Sequence, residues 1–273
     1  MAVLEQIAVT PSPVLFEGAA GPWHLGRTIG LPVGFAVLIT VAWEALCRTA
    51  KISPALLPPP SAVWQVLFDN YEILLQQTLP TTIETVASFA AATALAVALA
   101  VAITFSAWVR EALYPNIVAF QLIPKIALAP LFIVWLGVGG KPCIVIGCFI
   151  AFFPVVVSTA AGLVSVKPEI LTLCRSLTAS DWQIFRLARF PYAIPYVFAG
   201  MKVGVTMAMI GVIVGEFIGA EHGLGRVIVE AEGRGDSTDM MLAMIVLMMV
   251  GIILAAVVRR LQDYLLRWQP RFH

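Results

Sequence analysis

Long runs of apolar residues dominate the chain, and short polar stretches separate them. Six runs are long enough to cross a bilayer, because a hydrocarbon core of about 30 Å needs roughly 20 apolar residues in a helix. They cover residues 29–47, 79–107, 115–138, 142–165, 193–219 and 241–258. In lipid, backbone polar groups must be bonded within the segment, so isolated runs of this length favour helices. The pattern therefore predicts an all-α polytopic membrane protein with six transmembrane helices.

The composition agrees with this pattern. Of the 273 residues, 60% are hydrophobic and 12% are charged, about half the charged fraction of soluble globular domains. The net charge of +1 argues against a nucleic-acid partner. The four cysteines form no C-x-x-C pair and the three histidines are scattered, so we expect neither a metal site nor a disulfide framework.

The distribution of lysine and arginine predicts the orientation. An even number of spans places both termini on one side, and ten basic residues lie on that side against five in the opposite loops. The positive-inside rule then makes both termini cytoplasmic. We expect residues 1–28 to form a cytoplasmic N-terminal tail, 29–258 the transmembrane domain, and 259–273 a cytoplasmic C-terminal tail.

A charged stretch, residues 167–192, separates the fourth and fifth apolar runs. Pro168 and Glu169 suit the first turn of a helix, where a fixed φ and a carboxylate are both favourable. Ser180 and Gln183 have the spacing of a capping box, which begins a second helix. The stretch therefore predicts a cytoplasmic hairpin of two helices joined by a tight turn.

The predicted hairpin offers apolar side chains and cations to a partner surface. Leu177 and Phe185 are the apolar side chains that we expect a partner to bury, and three arginines accompany them: Arg175, Arg186 and Arg189. We expect Pro191 and Pro195 to stop or kink the second helix. A solvated loop between two spans is the alternative interpretation.

Four ionisable residues lie inside apolar runs: Glu84, Lys125, Lys202 and Glu216. Each costs at least ~2.5–3.5 kcal/mol at the bilayer centre, so each needs a partner, water or a route to the interface. Snorkelling to the interface competes with a pathway role for Glu84, Lys202 and Glu216. Lys125, next to Pro124, is the better candidate for attracting an anion. Prolines also interrupt several spans, and broken helices favour a transport pathway over a passive anchor.

Several sequence segments together resemble the permease subunit of binding-protein-dependent ABC importers, in the nitrate, sulfonate and taurine branch. The resemblance runs from about Leu57 to Trp268 and includes LLPPPSAV, IPKIALAPLFIVWLGVGGK, FFPVVVSTAAGLVSVKPEIL, SLTASDWQIFRLARFPYAIPYVFAGMK and GEFIGAEHGLG. It implies the type I ABC importer permease fold, also called MetI-like, in a bacterial inner membrane. The solute would be small and anionic, of the sulfonate, taurine, nitrate, aromatic-acid or pyrimidine-precursor type.

The resemblance also implies the partners and makes residues 167–192 the coupling hairpin that docks on an ATPase. The importer would contain two ATPase subunits, a second permease chain as a homodimer or heterodimer, and an external substrate-binding protein. No Walker A motif is visible, so the partner ATPase would bind ATP and Mg²⁺, and this chain would be a transport subunit and not an enzyme. The implied coupling residues are Arg175, Ser176, Leu177, Ala179, Ser180, Asp181, Trp182 and Phe185.

The hairpin departs from the usual E-A-A-x-x-x-G start of this family. Thr172, Leu173 and Cys174 stand at the E-A-A positions, and Thr178 stands in place of the glycine. A β-branched residue is strained at positive φ, so we expect a turn that avoids φ > 0. The change could reflect a specialised ATPase or pairing with a second, more standard permease chain.

Two other classes of protein fit parts of the pattern. An ion-coupled secondary transporter also uses broken helices, and an inverted repeat with paired intramembrane carboxylates would favour it. A membrane-embedded enzyme would need a convergent cluster of histidine or aspartate at one depth. Neither signature is visible in the sequence.

Overall fold

The computed structural model describes residues 23–267, and all regular structure within that range is helical. This confirms the prediction of an all-α membrane protein. Within the described range, five helices are long and apolar enough to cross a membrane, or six if a bent pair is one span. The helices are α1 (Trp23–Thr49), α2 (Pro60–Asp69), α3 (Tyr71–Phe105), α4 (Ala107–Phe120), α5 (Ala129–Leu136), α6 (Gly140–Val164), α7 (Pro168–Ser176), α8 (Asp181–Ile184), α9 (Phe190–Gly219), α10 (Leu224–Arg234) and α11 (Ser237–Leu265).

The chain divides into two compact units, one up to Lys51 and one from Ile52 onward. The first unit contains α1, which covers the first apolar run. Near its end, the carboxylate of Glu44 accepts a hydrogen bond from Arg48 one turn later, at 2.6 Å. Residues 1–22 of the predicted N-terminal tail and 268–273 of the predicted C-terminal tail lie outside the described residues.

The centre of the second unit is the close packing of α6 against α9. A methyl group added at Gly211 of α9 would lie 2.6 Å from the Cα atom of Gly147 in α6, and one at Gly215 would lie 2.8 Å from the Cα atom of Cys143. Two and three turns from Gly211, the same face of α9 carries Gly204 and Gly200, where an added methyl group would lie 2.7 and 2.9 Å from side-chain atoms of Val155 and Ser158 in α6. Small residues of this kind let two membrane helices approach until their backbones touch.

A second apolar cluster connects the outer helices. Val63 of α2, Leu224 and Ile228 of α10, and Leu242 and Leu247 of α11 are buried together. This cluster joins α2, α10 and α11 to the side of the α3–α6–α9 core. The short helices between the spans are therefore packed parts of the fold.

The third apolar run differs from the prediction of one kinked span over 115–138. Residues Glu111–Phe120 and Lys125–Leu136 form two helical segments that meet at 92°. A one-turn 3₁₀ helix, Lys125–Leu128, follows Pro124 at the bend. Proline cannot donate the backbone bond that would continue α4, so the run breaks at Pro124.

The second helix of the hairpin is not stopped by Pro191 or Pro195, so of the two predicted effects, a stop or a kink, the stop is wrong. It continues from Asp181 to Gly219 through a π-helical turn, Phe185–Arg189. In that turn the N–H of Phe190 donates to the carbonyl oxygen of Phe185, five residues earlier. The wider turn changes the bonding pattern just before Pro191, which lets the proline ring follow without ending the helix.

The α6–α9 contact predicts that Gly211→Ala destabilises the protein. The added methyl group would overlap backbone and not a movable side chain, so we expect a loss of about 1–3 kcal/mol. Gly233→Ala in α10 is the matched control, because no atom lies within 4 Å of its added methyl group. Thermal unfolding in detergent measures both, and an unchanged midpoint for Gly211→Ala would show that the helices are not held at this distance.

Candidate functional site

The hairpin begins with α7, which ends in a Schellman motif. The N–H of Ala179 donates to the carbonyl oxygen of Cys174 at 3.0 Å, and the N–H of Thr178 donates to that of Arg175 at 3.0 Å. These bonds satisfy the last carbonyl groups of the helix. They also fix the direction in which the chain leaves α7.

Thr178 occupies the left-handed position of this motif, with φ of 57°. The expectation that its turn avoids positive φ is therefore wrong. The two Schellman bonds require a left-handed residue after the helix whatever its side chain is, so the β-branched threonine accepts a cost of about 1–2 kcal/mol. Its hydroxyl donates to the carbonyl oxygen of Leu177 at 2.7 Å, which offsets part of that cost.

The second helix of the hairpin begins with the predicted capping box. The N–H of Gln183 donates to the Ser180 hydroxyl at 3.3 Å, and the N–H of Ser180 donates to the Gln183 side-chain oxygen at 2.7 Å. Two backbone donors that a helix leaves free at its start are thereby satisfied. The hairpin is consequently defined at both sides of its turn.

Several large apolar side chains of the hairpin face solvent, and three of them are the most exposed. Leu177 is 70% exposed, Trp182 61% and Leu187 74%. The other predicted coupling residues surround the turn: Arg175, Ser176, Ser180 and Asp181 are exposed and Ala179 is half-buried. An exposed apolar group on a charged element is typical of a surface that a partner covers.

Phe185 differs from the prediction, because only 7% of it is exposed. Its ring packs against Phe105 of α3 at 5.0 Å between centroids, and against Trp182 and Phe190 at 5.5 and 5.8 Å. The π turn rotates Phe185 toward α3, which a regular helical pattern cannot indicate. Phe185 therefore belongs to the internal packing of the hairpin and is not available to a partner.

A buried polar network lies at the opposite end of α9. Glu216 is 1% exposed, and its carboxylate accepts hydrogen bonds from the Thr81 hydroxyl and the Gly225 N–H, each at 2.6 Å. The Thr81 hydroxyl in turn accepts the N–H of Leu224 at 2.9 Å. The Gln77 side-chain oxygen accepts the N–H of Gly223 at 2.7 Å.

This network caps the start of α10 with side chains from α3 and α9. A carboxylate is favourable at a helix N-terminus, where free N–H groups and the helix dipole meet. The network also explains how a carboxylate is tolerated in an apolar region, since each of its two oxygens accepts a hydrogen bond. Glu216 is thus buried by α10, and its carboxylate does not reach the interface by snorkelling.

Glu84 of α3 lies near the same end of the bundle. Its carboxylate packs against Gly140 in the first turn of α6 so closely that a Cβ atom at that position would displace it. One of its oxygens is buried and has no partner within the described residues. Gly215, the residue before Glu216, packs on Cys143 of that same turn, so the structure places both intramembrane glutamates beside one turn of α6, a proximity that the sequence pattern did not reveal.

The two intramembrane lysines lie apart from the carboxylates. Lys125 is half-buried at the bend, where its ammonium group donates to the carbonyl oxygen of Gln121 at 3.1 Å and lies 5.0 Å from the centre of the Phe153 ring. Lys202 is exposed on α9. The four ionisable candidates therefore lie in three places. Glu84 and Glu216 lie beside the first turn of α6. Lys125 is at the break between two helical segments, and Lys202 is on the surface of α9.

Sequence reasoning missed the partners that surround Glu216. Gln77, Thr81, Thr85 and Ser88 follow one another at intervals of three or four residues in α3, which places them on one face of a helix. Thr81, Thr85 and Ser88 are fully buried. Polar residues at helical spacing inside an apolar run were the available signal, because such residues face the interior of a bundle.

The network predicts that Thr81→Val destabilises the attachment of α10. Removal of the hydroxyl leaves a Glu216 oxygen and the Leu224 N–H without their partner, which should cost about 1–3 kcal/mol. Thr82→Val is the matched control, since its half-buried hydroxyl bonds only to the Thr78 carbonyl oxygen of its own helix. Hydrogen exchange should become faster at residues 223–231 in the Thr81 variant alone, and equal exchange in both variants would contradict the cap.

Comparison with known proteins identifies a matching family and several relatives of this chain. Residues 72–269 match the family described as binding-protein-dependent transport system inner membrane component. The chain is 34% identical over 245 residues to the riboflavin transport system permease protein of Chloroflexus aurantiacus, covering 88% of this chain and 90% of that protein. It is 31% identical over 255 residues to the taurine transport system permease protein of Escherichia coli, covering 90% and 92%.

A third relative and a solved structure agree with this match. The formylaminopyrimidine transport permease protein of Halalkalibacterium halodurans is 31% identical over 241 residues, covering 88% of this chain and 96% of that protein. The fold is also similar to a chain in an inward-facing conformation of the MetNI methionine ABC transporter. That likeness has a TM-score of 0.61 at 19% identity, and it covers 74% of this chain and 98% of the other.

Proposed function

The chain belongs to the family of binding-protein-dependent transport system inner membrane components, and from that premise we propose how its parts divide the work of import. The membership confirms the predicted all-α permease fold and the function as a permease subunit of an ABC importer. The membership also favours this function over that of an ion-coupled transporter, although two intramembrane glutamates, Glu84 and Glu216, lie beside the same turn of α6. The family works with an ATPase and a substrate-binding protein, so this chain supplies the membrane-embedded part.

The hairpin of α7 and α8 is the surface that we assign to the ATPase. The observation that carries this assignment is its exposed apolar group, Leu177, Trp182 and Leu187, on an element that is capped at both sides of its turn. The continuous helix from Asp181 to Gly219 gives this surface a stiff connection into the membrane. In this proposal both termini and the hairpin face the cytoplasm, and two permease chains share two ATPases.

Thr172, Leu173 and Cys174 stand where the family usually has E-A-A at the start of the hairpin. This difference fits a contact with the ATPase that is stabilised by burial of apolar surface. Leu173 is exposed like Leu177, whereas a glutamate at the start of the hairpin would offer a charge. Thr178 keeps the left-handed turn that the usual glycine would provide. We therefore expect the divergent hairpin to keep its shape and to prefer an ATPase whose docking groove is less basic than the groove usual in this family.

This assignment predicts that Leu177→Asp prevents association with the ATPase. The carboxylate would be buried without a partner in the interface, at a cost of several kcal/mol. Leu56→Asp is the matched control, because Leu56 is 79% exposed and lies before α2, remote in sequence from the hairpin. The measurements are co-purification of the ATPase and solute uptake in reconstituted vesicles.

Phe185→Asp cannot serve as this test, because the buried Phe185 position would place the charge inside the chain itself. Normal ATPase recovery and uptake with Leu177→Asp would instead show that the hairpin is a solvated loop. Loss of both with Leu177→Asp and with Leu56→Asp alike would indicate general instability and would equally contradict the assignment.

Four residues remain candidates for the translocation pathway: Lys125, Lys202, Glu84 and Glu216. Lys125 is the strongest, because it is a cation at a break between two helical segments. Broken helices in transporters commonly form the solute site near the middle of the membrane. Each oxygen of the Glu216 carboxylate already accepts a hydrogen bond, one from Thr81 of α3 and one from Gly225 of α10, so we assign Glu216 mainly to positioning. We infer a small anionic organic solute from the cation at the break.

Lys125→Met tests the solute charge. The methionine keeps an apolar stem over Phe153 and removes the ammonium group, so uptake at low solute concentration should fall about tenfold or more. Lys141→Met, an exposed lysine at the start of α6, is the control. The solute delivered by the co-purifying binding protein is the one to measure, and wild-type uptake over a range of its concentrations would exclude Lys125 from the pathway.

A further inference from the structure

A small cleft lies between the hairpin and the end of α3. Its volume is about 130 Å³. Thr104 and Phe105 form the wall from the last turn of α3, and Arg175, Asp181, Phe185 and Arg189 are among the hairpin residues that line it. The π turn contributes Phe185 and Arg189, so the irregular part of the long helix is what shapes the cleft.

The cleft contains two arginines that form no ion pair within the described part of the chain. Within residues 23–267, neither Arg175 nor Arg189 has an ion pair or a side-chain hydrogen bond, and Asp181 has none either. One carboxylate against two guanidinium groups leaves a net positive charge. A guanidinium group offers several N–H donors in a planar fork, which suits the oxygens of a phosphate group.

The cleft lies where apolar helices give way to polar chain. The apolar part of α3 ends at Phe105, and Arg189 directly precedes the apolar run of α9. Exposed aromatic side chains surround this level of the molecule: Phe105, Phe190 and Tyr192. Aromatic residues of this kind are enriched at the boundary between a membrane and water.

The position of the cleft at the membrane boundary favours an anionic lipid over a carboxylate of the ATPase as its ligand. A basic pocket beside membrane helices at the level of the lipid headgroups is a typical site for an anionic lipid. A carboxylate of the ATPase would more readily reach the exposed end of the hairpin around Leu177, which lies in the turn between its helices. The apolar walls, Phe105 and Phe185 among them, also suit the glycerol and first acyl carbons of a lipid better than a fully hydrated ion.

We propose that this cleft binds the phosphate group of an anionic phospholipid, with Arg175 and Arg189 as its ligands. The site requires only that the chain spans a membrane, so it does not depend on the assignment of the hairpin to the ATPase. A lipid held there would connect α3, α7 and the first turns of the long helix. It would thereby make the position of the hairpin sensitive to the lipid composition.

The test uses the purified full chain in a neutral detergent. Dihexanoyl phosphatidylglycerol should raise the midpoint of thermal unfolding by about 2–4 °C, because a ligand that binds the folded state stabilises it. Dihexanoyl phosphatidylcholine at the same concentration should not, since it lacks the net negative charge. The shift should disappear in Arg175→Gln and Arg189→Gln and persist in Arg186→Gln, whose exposed arginine is on the same helix but outside the cleft.

Several outcomes would overturn the proposal. They are equal shifts with the two lipids, an unchanged shift in Arg189→Gln, or an equal loss in Arg186→Gln, which would indicate diffuse attraction to surface charge. Inorganic phosphate producing the whole shift would identify a free-anion site in place of a lipid site. Loss of the shift once the ATPase is bound would assign the arginines to that interface.

Two further measurements keep the proposal testable if a glutamine variant fails to fold. Arg189→Lys retains the charge and should keep part of the shift, because lysine binds phosphate as a point charge. Native mass spectrometry of the wild-type chain should show retention of phosphatidylglycerol in preference to phosphatidylcholine. Equal retention of the two lipids would refute the site without reference to any variant.

Discussion

The close approach of α6 and α9 is the constraint on which the rest of the structure depends. In lipid, apolar helices gain little from leaving their surroundings, so the stability of the pair comes from backbone contact and hydrogen bonds. The glycines of α9 provide the contact. α3 joins the pair through Ser88, whose hydroxyl donates to the Ile144 carbonyl oxygen of α6 at 3.0 Å, and Gly147 leaves the space that this hydroxyl occupies.

The position of the outer helix α10 follows from that central packing. Gly215, one residue before Glu216, packs on Cys143, so the contact with α6 also fixes where the Glu216 carboxylate lies. A buried carboxylate is stable only when donors surround it, and the free N–H groups at the start of α10 supply one of them. The charge that is costly in the membrane therefore determines where α10 begins, and α10 in turn packs on α2 and α11 through the second apolar cluster.

Features that depend on a single helix and its own residues could be predicted from the sequence. The apolar runs predicted where the long helices lie, and the Ser180 capping box is local to one turn. The bend at Pro124, the burial of Phe185 and the left-handed Thr178 could not be predicted in the same way. Each depends on a competition between a local preference and the surrounding structure. Pro124 could either kink or break its helix, and the π turn changes the direction in which side chains leave the long helix. At Thr178, the two Schellman hydrogen bonds outweigh the strain of a β-branched residue at positive φ.

The polar residues of the candidate site could also be predicted only in part from the sequence. Glu84 and Glu216 were visible as ionisable groups in apolar runs, but their proximity arises from the packing of α3, α6 and α9, which a sequence pattern does not contain. The polar face of α3 was present in the sequence, yet Gln77 and Thr81 acquire their role only when the start of α10 lies beside them. A residue's type predicted that it needs a partner, and the fold determined which partner it has.

The continuous helix from Asp181 to Gly219 connects these two ends of the molecule. Its 39 residues correspond to about 58 Å at 1.5 Å per residue, nearly twice the thickness of a hydrocarbon core. No loop interrupts it, so a displacement of the hairpin reaches the glycine contact with α6 and then Glu216 without passing through a flexible segment. The π turn is also where Phe185 packs on α3. The long helix therefore contacts α3 at one end and both α3 and α10 at the other, so α3 is the element that its two ends share.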